Sequence, residues 1–277
     1  MQNLQENFSD QIAKNQKIVF SQTTSPNFNT RRFPAFVGRI FNYWCLFAAA
    51  ILVILFAPPL MLVARVTGNN DLVQRGAMWG ARTWLKMCGV KVVLRGTENM
   101  KSDETYVFIS NHRSYLETAI VEGHLGRHVG IISKKELLKL PIAGQLMGYI
   151  DMLAIDRSNP TRAVETMQEA VGKIHNGLSV VVFAEGTRAM HGELLPFKKG
   201  AFHLAIAAGA KILPLAVHNS GRLMGKKQNY AEPGTITVDF LLPISTEHLT
   251  AENDLESLRD RVRAAIAAKL ENQKDGG

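Results

Sequence analysis

The residues best suited to chemistry lie in the stretch SNHRSYLE at positions 110 to 117, where an apolar run ends in a polar turn. His112 and Glu117 are five residues apart, so on a regular helix they would point about 140° away from each other. They can meet only if His112 precedes a helix and Glu117 lies in its first turns. The carboxylate would then hold one imidazole nitrogen and leave the other to remove a proton from an alcohol. The alternative is a structural or solvated pair.

A second polar turn, EGTR at positions 185 to 188, follows the apolar run VVFA. Gly186 permits a positive φ, so Thr187 and Arg188 would project from a turn that could hold an anion. The planar guanidinium of Arg188 suits phosphate. An internal ion pair between Glu185 and an arginine is the alternative interpretation, and the two interpretations are compatible.

Cations recur where other apolar runs end. Arg157 follows the run 152–156, Lys134 and Lys135 follow the run 129–133, and another lysine pair occupies positions 198–199. A single lysine pair is typical of a solvated surface. Several cations at successive strand ends instead predict one cationic rim, because active sites of α/β folds lie at the carboxyl ends of their strands.

Short β-branched runs alternate with helical stretches beyond residue 76, which predicts an α/β fold with a largely buried sheet. The predicted strands are 90–94, 106–110, 129–133, 152–156, 179–184, 212–217 and 235–241. The predicted helices span about 76–88, 115–125, 135–148, 160–176, 199–208 and 253–271. The last helix carries an apolar stripe typical of packing, namely Leu255, Leu258, Val262, Ile266 and Leu270.

The N-terminal region divides into a polar tail over residues 1–30 and a segment over 31–68 that is free of charge from Ile40 to Ala64. About 20 apolar residues cross a bilayer as a helix, so this segment predicts membrane association. Pro58 and Pro59 favour either a span with a bent end or two short helices that enter one leaflet. A buried core helix and a signal peptide are weaker alternatives, because the segment is long and begins late.

Arginines flank the apolar segment on both sides, at positions 31, 32 and 39 before it and 65 and 75 after it. This pattern favours a hairpin whose two ends face the cytoplasm, with a single span as the alternative, and we expect an inner (cytoplasmic) membrane protein whose catalytic domain faces the cytoplasm. The formal net charge of +8 indicates contact with anionic partners, namely nucleic acid, a membrane or phosphorylated substrates. Nucleic acid is disfavoured because the lysine pairs lack interleaved aromatic residues. Two cysteines exclude a disulfide framework and indicate a reduced compartment.

Taken together, four segments of the chain resemble the motif blocks of the PlsC-like glycerolipid acyltransferase family, which includes 1-acyl-glycerol-3-phosphate acyltransferases. The resemblance covers residues 76 to 245, and the segments occur in the family's order. They are Asn111-His112 with an acid at 117, Ile155-Asp156-Arg157, FAEGTR at 183–188 and ILPLAV at 212–217. Two positions depart from the family pattern. Glu117 replaces the usual aspartate and keeps a carboxylate, while Ala184 replaces the usual proline or serine.

The resemblance implies a mixed, largely parallel sheet flanked by helices, as an α/β acyltransferase domain over 69–277. It implies that His112, oriented by Glu117, is the general base for a hydroxyl that attacks the thioester of acyl-CoA or acyl carrier protein. No covalent acyl-enzyme, cofactor or metal is expected. The acceptor phosphate would be held by Arg157, Arg188 and Lys134. The other predicted residues of the acceptor site are Asn111, Glu185, Gly186 and Thr187.

The resemblance also implies a substrate, 1-acyl-glycerol-3-phosphate, and a product, phosphatidic acid, a step of phospholipid biosynthesis. Two alternatives remain open. The acceptor could be another lyso-lipid, such as a lyso-ornithine lipid or a lysophospholipid with a larger headgroup. The protein could also be a non-catalytic module that binds membrane or nucleic acid through its basic rim.

Overall fold

The computed structural model describes residues 33–156, 158–190 and 192–272, so the predicted tail over 1–30 lies outside the described residues. The helices are α1 Ala35–Thr67, α2 Asp71–Met87, α3 Leu116–His124, α4 Ala143–Tyr149, α5 Pro160–His175, α6 Gly200–Ala207, α7 Ser220–Leu223 and α8 Leu255–Asn272. The strands are β1 Val90–Arg95, β2 Tyr106–Ser110, β3 Val129–Lys134, β4 Met152–Ile155, β5 Ser179–Phe183, β6 Lys211–His218 and β7 Gly234–Phe240.

The seven strands form one sheet in the order β1-β7-β6-β2-β5-β3-β4. Every neighbouring pair is parallel except β6 with β7. All five residues of the central strand β2 are buried, as expected for a strand that is covered on both faces. The prediction of a mixed, largely parallel sheet flanked by helices is therefore confirmed.

The register of the central strands places the two polar turns side by side. Ser110, the last residue of β2, pairs with Phe183, the last residue of β5. His112 and Glu185 each follow that pair by two residues, on adjacent strands that run in the same direction. Strand β3 lies on the far side of β5 and ends at Lys134 at the same edge of the sheet. The strands thus gather the polar turns at one edge.

Helices cover the sheet on two faces. Residues of α1, α2 and α3 pack in one apolar cluster with the first face, and residues of α5, α6 and α8 pack in a second cluster. The predicted stripe on α8 is buried in the second cluster at all five positions, from Leu255 to Leu270. Helix α8 is thus the packing helix that its apolar period predicts.

Two helix predictions need correction. The predicted helix 135–148 is two elements, a 3-10 turn Lys135–Lys139 and then α4 from Ala143. Pro141 separates them because proline disfavours helical backbone in the residue before it, and Ile142 adopts a φ of 61°. In the N-terminal segment, by contrast, Pro58 and Pro59 lie inside one continuous helix, so two short helices are not formed.

Helix α1 lies along the rest of the domain. Near its start, the carbonyl of Gly38 accepts a hydrogen bond from the backbone of Ala231 at 2.9 Å. Near its end, Ala64 packs with Val73 of α2 and with Ile150, which follows α4. Both ends of α1 therefore contact the α/β domain.

Candidate active site

His112 and Glu117 meet at the end of β2. The Nδ1 atom of His112 lies 2.6 Å from Oε2 of Glu117, which is fully buried at the second position of α3. The Glu117 carboxylate also accepts the backbone N–H of Arg113 at 2.9 and 3.0 Å and the hydroxyl of Ser220. His112 thus precedes helix α3 and Glu117 lies in its first turn, as their five-residue spacing requires for the two side chains to meet. The catalytic roles of the two residues remain predictions.

The contacts of His112 define which nitrogen can react. Because a carboxylate only accepts, its bond to Nδ1 places the proton there and leaves a lone pair on Nε2. Within the described ranges, no hydrogen bond to Nε2 is present. The ring also stacks on Phe183 with centroids 4.1 Å apart, so its orientation is fixed on two sides. This is the arrangement of a general base held by a carboxylate.

Glu185 joins the two turns of the site. Its Oε1 accepts the backbone N–H of His112 at 2.7 Å, and its Oε2 accepts that of Leu195 at 2.9 Å. Burial raises the pKa of this carboxyl, while the charge of Arg113 acts to lower it. The observed contacts of Glu185 are with backbone N–H groups, and its predicted part in shaping the acceptor pocket stays a prediction.

Asn111 is likewise a structural residue. Its side chain is fully buried, and its amide donates to the carbonyl of Val217 at 2.9 Å and accepts the N–H of the same residue at 2.8 Å. Both ends of the amide are therefore bonded to β6. The side chain thus holds β2 against β6, and its predicted contact with substrate stays a prediction.

A cavity of about 590 Å³ has His112 in its wall. His112, Lys134, Gly186, Thr187 and Arg188 all line it, so the structure brings these five predicted residues together. Most of the remaining wall is apolar and comes from α1, α2 and α3, including Leu52, Phe56, Trp79, Trp84 and Ala119. A largely apolar cavity whose wall also carries a histidine and cations can hold the chain of a lipid together with its polar group.

Two lysines near the predicted cationic rim form ion pairs with acids. Lys135 pairs with Asp156 at 2.7 Å, and Lys199 pairs with Glu256 at 2.7 Å. In the described part of the chain, the cations that line the cavity are Lys134 and Arg188. Arg157 lies outside the described residues, so its position stays a prediction.

Gly186 is favoured by the backbone conformation of its turn and packs against the side chain of Lys198. Its φ is +69°, a region that L side chains rarely adopt. A Cβ atom at this position would lie 2.9 Å from Cδ and Cε of Lys198. Glycine therefore lets the turn that carries Arg188 fold close beneath the lysine stem.

Comparisons with known proteins agree with this geometry. A family model described as "Acyltransferase" matches residues 91–218. The chain is 33% identical over 228 residues to "1-acyl-sn-glycerol-3-phosphate acyltransferase alpha" of Mus musculus, a match that covers 82% of this chain and 77% of the mouse protein. This chain belongs to the PlsC-like acyltransferase family.

Further relatives extend the match. The acyltransferase is 36% identical over 165 residues to "1-acyl-sn-glycerol-3-phosphate acyltransferase" of Limnanthes douglasii, covering 59% of this chain and 58% of the plant protein. Its fold is similar to the crystal structure of the 1-acyl-sn-glycerophosphate (LPA) acyltransferase PlsC from Thermotoga maritima, with a TM-score of 0.75. That match covers 86% of this chain and 97% of the other at 23% identity, so it supports the fold alone.

The structure adds residues of the acyltransferase site that sequence reasoning missed. Tyr115 stacks under Arg188, with the guanidinium carbon 3.5 Å from the ring centroid. Phe183 and Ser220 fix the catalytic pair as described above. Tyr115 and Phe183 lie within the motif segments, so the sequence could have identified them as candidate site residues. Ser220 follows β6 and lies 103 residues from Glu117, so no local spacing relates the two.

Glu122 of α3 is also on the cavity wall, and its burial raises its pKa from 4.5 to about 7. Below pH 4.5 the carboxyl is protonated in the folded and unfolded states alike. As the pH rises towards 7, the unfolded chain loses this proton first, so stability falls. Above pH 7 the full penalty of about 3 kcal/mol applies.

We therefore expect Glu122→Gln to stabilise the acyltransferase at pH 8 relative to wild type, and by less at pH 5. The free energy of unfolding of both proteins in detergent, measured at the two pH values, gives the comparison. Glu165→Gln, at an exposed position of α5, is the matched control and should show no such difference. A Glu122→Gln effect that is the same at both pH values would contradict the raised pKa.

Proposed function

We propose that this acyltransferase transfers a fatty acyl group from acyl-CoA or acyl carrier protein to the free hydroxyl of 1-acyl-glycerol-3-phosphate, giving phosphatidic acid. The observation that carries the proposal is the 2.6 Å contact of Glu117 with His112, beside a largely apolar cavity that His112, Lys134 and Arg188 line. The names of the mouse and Limnanthes relatives support the same acceptor.

In the proposed reaction, Nε2 of His112 takes the proton from the acceptor hydroxyl as its oxygen attacks the thioester carbonyl. Glu117 stabilises the imidazolium that forms. The carbon–sulfur bond then breaks, and the imidazolium returns the proton to the departing thiolate. These steps account for every bond that changes, so the reaction needs no cofactor and no acyl-enzyme.

The cations at the mouth are proposed to hold the acceptor phosphate and so keep the hydroxyl near His112. Arg188 has the planar fork that matches phosphate oxygens, and Lys134 adds a point charge on the neighbouring strand end. Arg157, predicted for the same role, follows β4 in sequence. The Tyr115 ring restricts the guanidinium of Arg188 before substrate arrives.

We expect Arg188→Ala to lower kcat/KM for the acceptor about tenfold to a hundredfold, because a charge-assisted bond to phosphate is lost. The KM for the acyl donor should change little, and Arg188→Lys should restore activity only in part. Tyr115→Leu should cost about two- to fivefold in acceptor kcat/KM, since an exposed cation–π contact is weak.

Tyr115→Phe is the matched control for this prediction, because it keeps the ring under Arg188 and should behave like wild type. Steady-state kinetics with each substrate varied in turn separate the two sides of the reaction. An increase confined to the donor KM would assign Arg188 to the CoA or carrier-protein side instead.

The proposed activity is tested by release of thiol from acyl-CoA and acyl carrier protein with purified enzyme and a panel of lyso-lipids. Release that depends on 1-acyl-glycerol-3-phosphate, with phosphatidic acid as product, is the expected result. Release with a lyso-ornithine lipid or a larger-headgroup lysophospholipid, and none with 1-acyl-glycerol-3-phosphate, would replace the acceptor in the proposal. No release with any acceptor would overturn it.

Membrane association is proposed through α1. It is the one helix in the described part of the chain that is long and apolar enough to cross a membrane. Many of its large apolar side chains are exposed, and they lie on more than one side of the helix, namely Phe36, Ile40, Tyr43, Phe47, Ile54, Leu55 and Leu62. Because both ends of α1 contact the α/β domain, we propose that the helix lies in one leaflet. The flanking arginines favour the cytoplasmic face of the inner membrane.

We expect Ile40→Glu with Ile54→Glu to lower binding to liposomes at least tenfold, because each buried aliphatic side chain contributes about 1.5 to 3 kcal/mol. Activity on detergent-dispersed substrate should persist, since both side chains face away from the cavity. Co-sedimentation with liposomes measures binding. Val164→Glu, at an exposed apolar position of α5, is the control and should bind like wild type. Undiminished binding of the double variant would assign the anchor to another surface.

A further inference from the structure

Arg113 follows His112 directly in the catalytic turn, and the proposed reaction does not use its side chain. It is 9% exposed, and it is the one lysine or arginine that is buried among the residues that the structure describes. Burying a guanidinium is unfavourable unless hydrogen bonds or opposite charges compensate for the lost water. The surroundings of Arg113 should therefore show what its charge stabilises.

Hydrogen bonds fix Arg113 beside the catalytic pair. The Nε and Nη2 atoms of its side chain both donate to the carbonyl oxygen of Glu193, at 2.9 and 2.7 Å. Its backbone N–H donates to the two carboxylate oxygens of Glu117 at 3.0 and 2.9 Å. The side chain thus bonds a neutral carbonyl, and within the described ranges no carboxylate forms an ion pair with it. Its positive charge is left to act on acids at longer range.

Two buried acids occupy the polar turns beside Arg113. Glu117 is 0% exposed and Glu185 is 2% exposed. Both hold His112, since Glu117 contacts Nδ1 of the ring and Glu185 accepts the backbone N–H. Each of these bonds is stronger when the acid is ionised. Two negative charges in a buried site oppose each other, and a nearby positive charge favours the ionised form of both.

Electrostatic interactions connect Arg113 with both acids. Burial lowers the pKa of its guanidinium, whereas the charges of Glu117, Glu185 and Glu193 act to raise it. Burial raises the pKa of Glu185, and the charge of Arg113 acts in the opposite direction. Arg113 is not among the residues that line the cavity, so its charge acts on these acids and not on a substrate there.

We propose that Arg113 is a positioning residue of acyl transfer, whose fixed positive charge keeps Glu117 and Glu185 ionised and the His112 ring neutral. The inference rests on the proposed function, which makes His112 the general base. Arg113 acts through the two acids and contacts none of the reacting atoms. The charge and the hydrogen bonds of its side chain can be separated by substitution.

The pH dependence of activity reports the charge of Arg113. A proton on His112 occupies the lone pair that the reaction needs, and a proton on Glu117 removes the acceptor of the Nδ1 hydrogen. A nearby positive charge disfavours both protonations. Without that charge, the catalytic pair binds the inactivating proton at higher pH. We expect a displacement of about one pH unit, at the low end of the effect of a neighbouring charge.

Other charged groups near the pair are common to wild type and variants. Lys134 and Arg188 line the same cavity as His112. Glu193 interacts with Arg113, and so does His218 of β6, whose pKa burial lowers and whose Nε2 lies 2.8 Å from an oxygen of Asp239. Because His218 also titrates, the pH dependence of the His112 ring has to be observed directly as well.

The test uses variants that separate charge from hydrogen bonding. Arg113→Gln removes the charge and keeps a donor, whereas Arg113→Lys keeps the charge and loses the planar fork. Arg113→Met is a second neutral variant, in case the buried amide prevents folding. Arg127→Gln is the matched control, because the Arg127 guanidinium also donates to backbone carbonyls, those of Lys101 and Glu104, at the opposite edge of the sheet.

We expect the acidic limb of the kcat/KM profile, measured by thiol release, to lie about one pH unit higher in Arg113→Gln than in wild type. The ratio of variant to wild-type activity should therefore rise about tenfold from the acidic end of the profile to its plateau. Arg113→Lys and Arg127→Gln should keep the wild-type limb. A loss in Arg113→Gln that is the same at every pH would overturn the inference, and so would equal displacements in Arg113→Gln and Arg113→Lys.

A titration keeps this inference separate from the proposed function. NMR of protein labelled with ¹⁵N-histidine in detergent follows each ring, and His112→Ala identifies the His112 signal by its loss. The His112 ring should gain its proton about one pH unit higher in Arg113→Gln or Arg113→Met than in wild type. If no thiol is released with any acceptor, the proposed function fails, yet this titration still decides the role of Arg113. Titration of His112 at the same pH in wild type and the neutral variants would refute it.

Discussion

His112→Ala is expected to lower kcat for acyl transfer about a hundredfold to ten-thousandfold, because the acceptor hydroxyl then loses its general base. The fold should persist. The backbone N–H of His112 still donates to Glu185, and its carbonyl still accepts the N–H of Ala189 at 2.7 Å. Thiol release at saturating substrate measures the loss, and circular dichroism with thermal melting reports the fold.

His203→Ala provides the control for the His112 substitution, because His203 is exposed on α6 and lies outside the cavity. It should retain wild-type turnover. Near-normal turnover of a folded His112→Ala variant would remove this residue from the mechanism. The acceptor KM separates the two roles that the histidine could have, since loss of a base lowers kcat while loss of a binding contact raises KM.

The sequence predicts the strands and the positions at which the central strands end, because each strand is a β-branched run that stops at polar residues. That pattern gave β2 its observed bounds and placed His112 and Arg188 just beyond strand ends. Parallel neighbours then bring such turns to one edge. What the pattern could not give is the order of the strands. The contacts of Asn111 with Val217 and of Glu117 with Ser220 both depend on β6 lying beside β2.

Residue type alone also does not show which polar groups line the cavity. Asn111 and Glu185 stand in the same turns as His112 and Arg188, and all four can bind a phosphate or hydroxyl. Burial divides them, because the first two bond backbone groups that would otherwise have no partner. The two cations reach the cavity instead. Sequence spacing contains no information on that division.

The apolar segment presented a different difficulty. Its charge-free length fits a span, a buried helix or a helix lying in one leaflet, since all three need apolar residues. Side-chain size along α1 is related to burial. Most buried residues of α1 are small, and the list is Gly38, Asn42, Cys45, Ala48, Ala57, Met61 and Ala64, whereas many of its large apolar side chains are exposed. Small side chains let neighbouring elements approach the helix closely.

Glu117→Gln is expected to lower kcat nearly as much as His112→Ala, although it changes a single oxygen to nitrogen. The Glu117 carboxylate accepts from Nδ1 of His112, from the N–H of Arg113 and from the hydroxyl of Ser220. An amide has one oxygen to accept with and an NH2 that only donates. If the NH2 faces Nδ1, the imidazole proton moves to Nε2, and the base can no longer take the acceptor's proton.

The double variant separates this account from a purely structural one. If Glu117 acts through His112, then Glu117→Gln with His112→Ala should be no slower than His112→Ala alone, because the losses of residues that act as a unit are not additive. Glu117→Asp should keep part of the activity, since the acid remains but is one methylene shorter. Ser220→Ala, which removes one bond to Glu117 and leaves its charge, should cost less than Glu117→Gln. If the activity losses of the two substitutions multiply in the double variant, Glu117 contributes to transfer independently of His112.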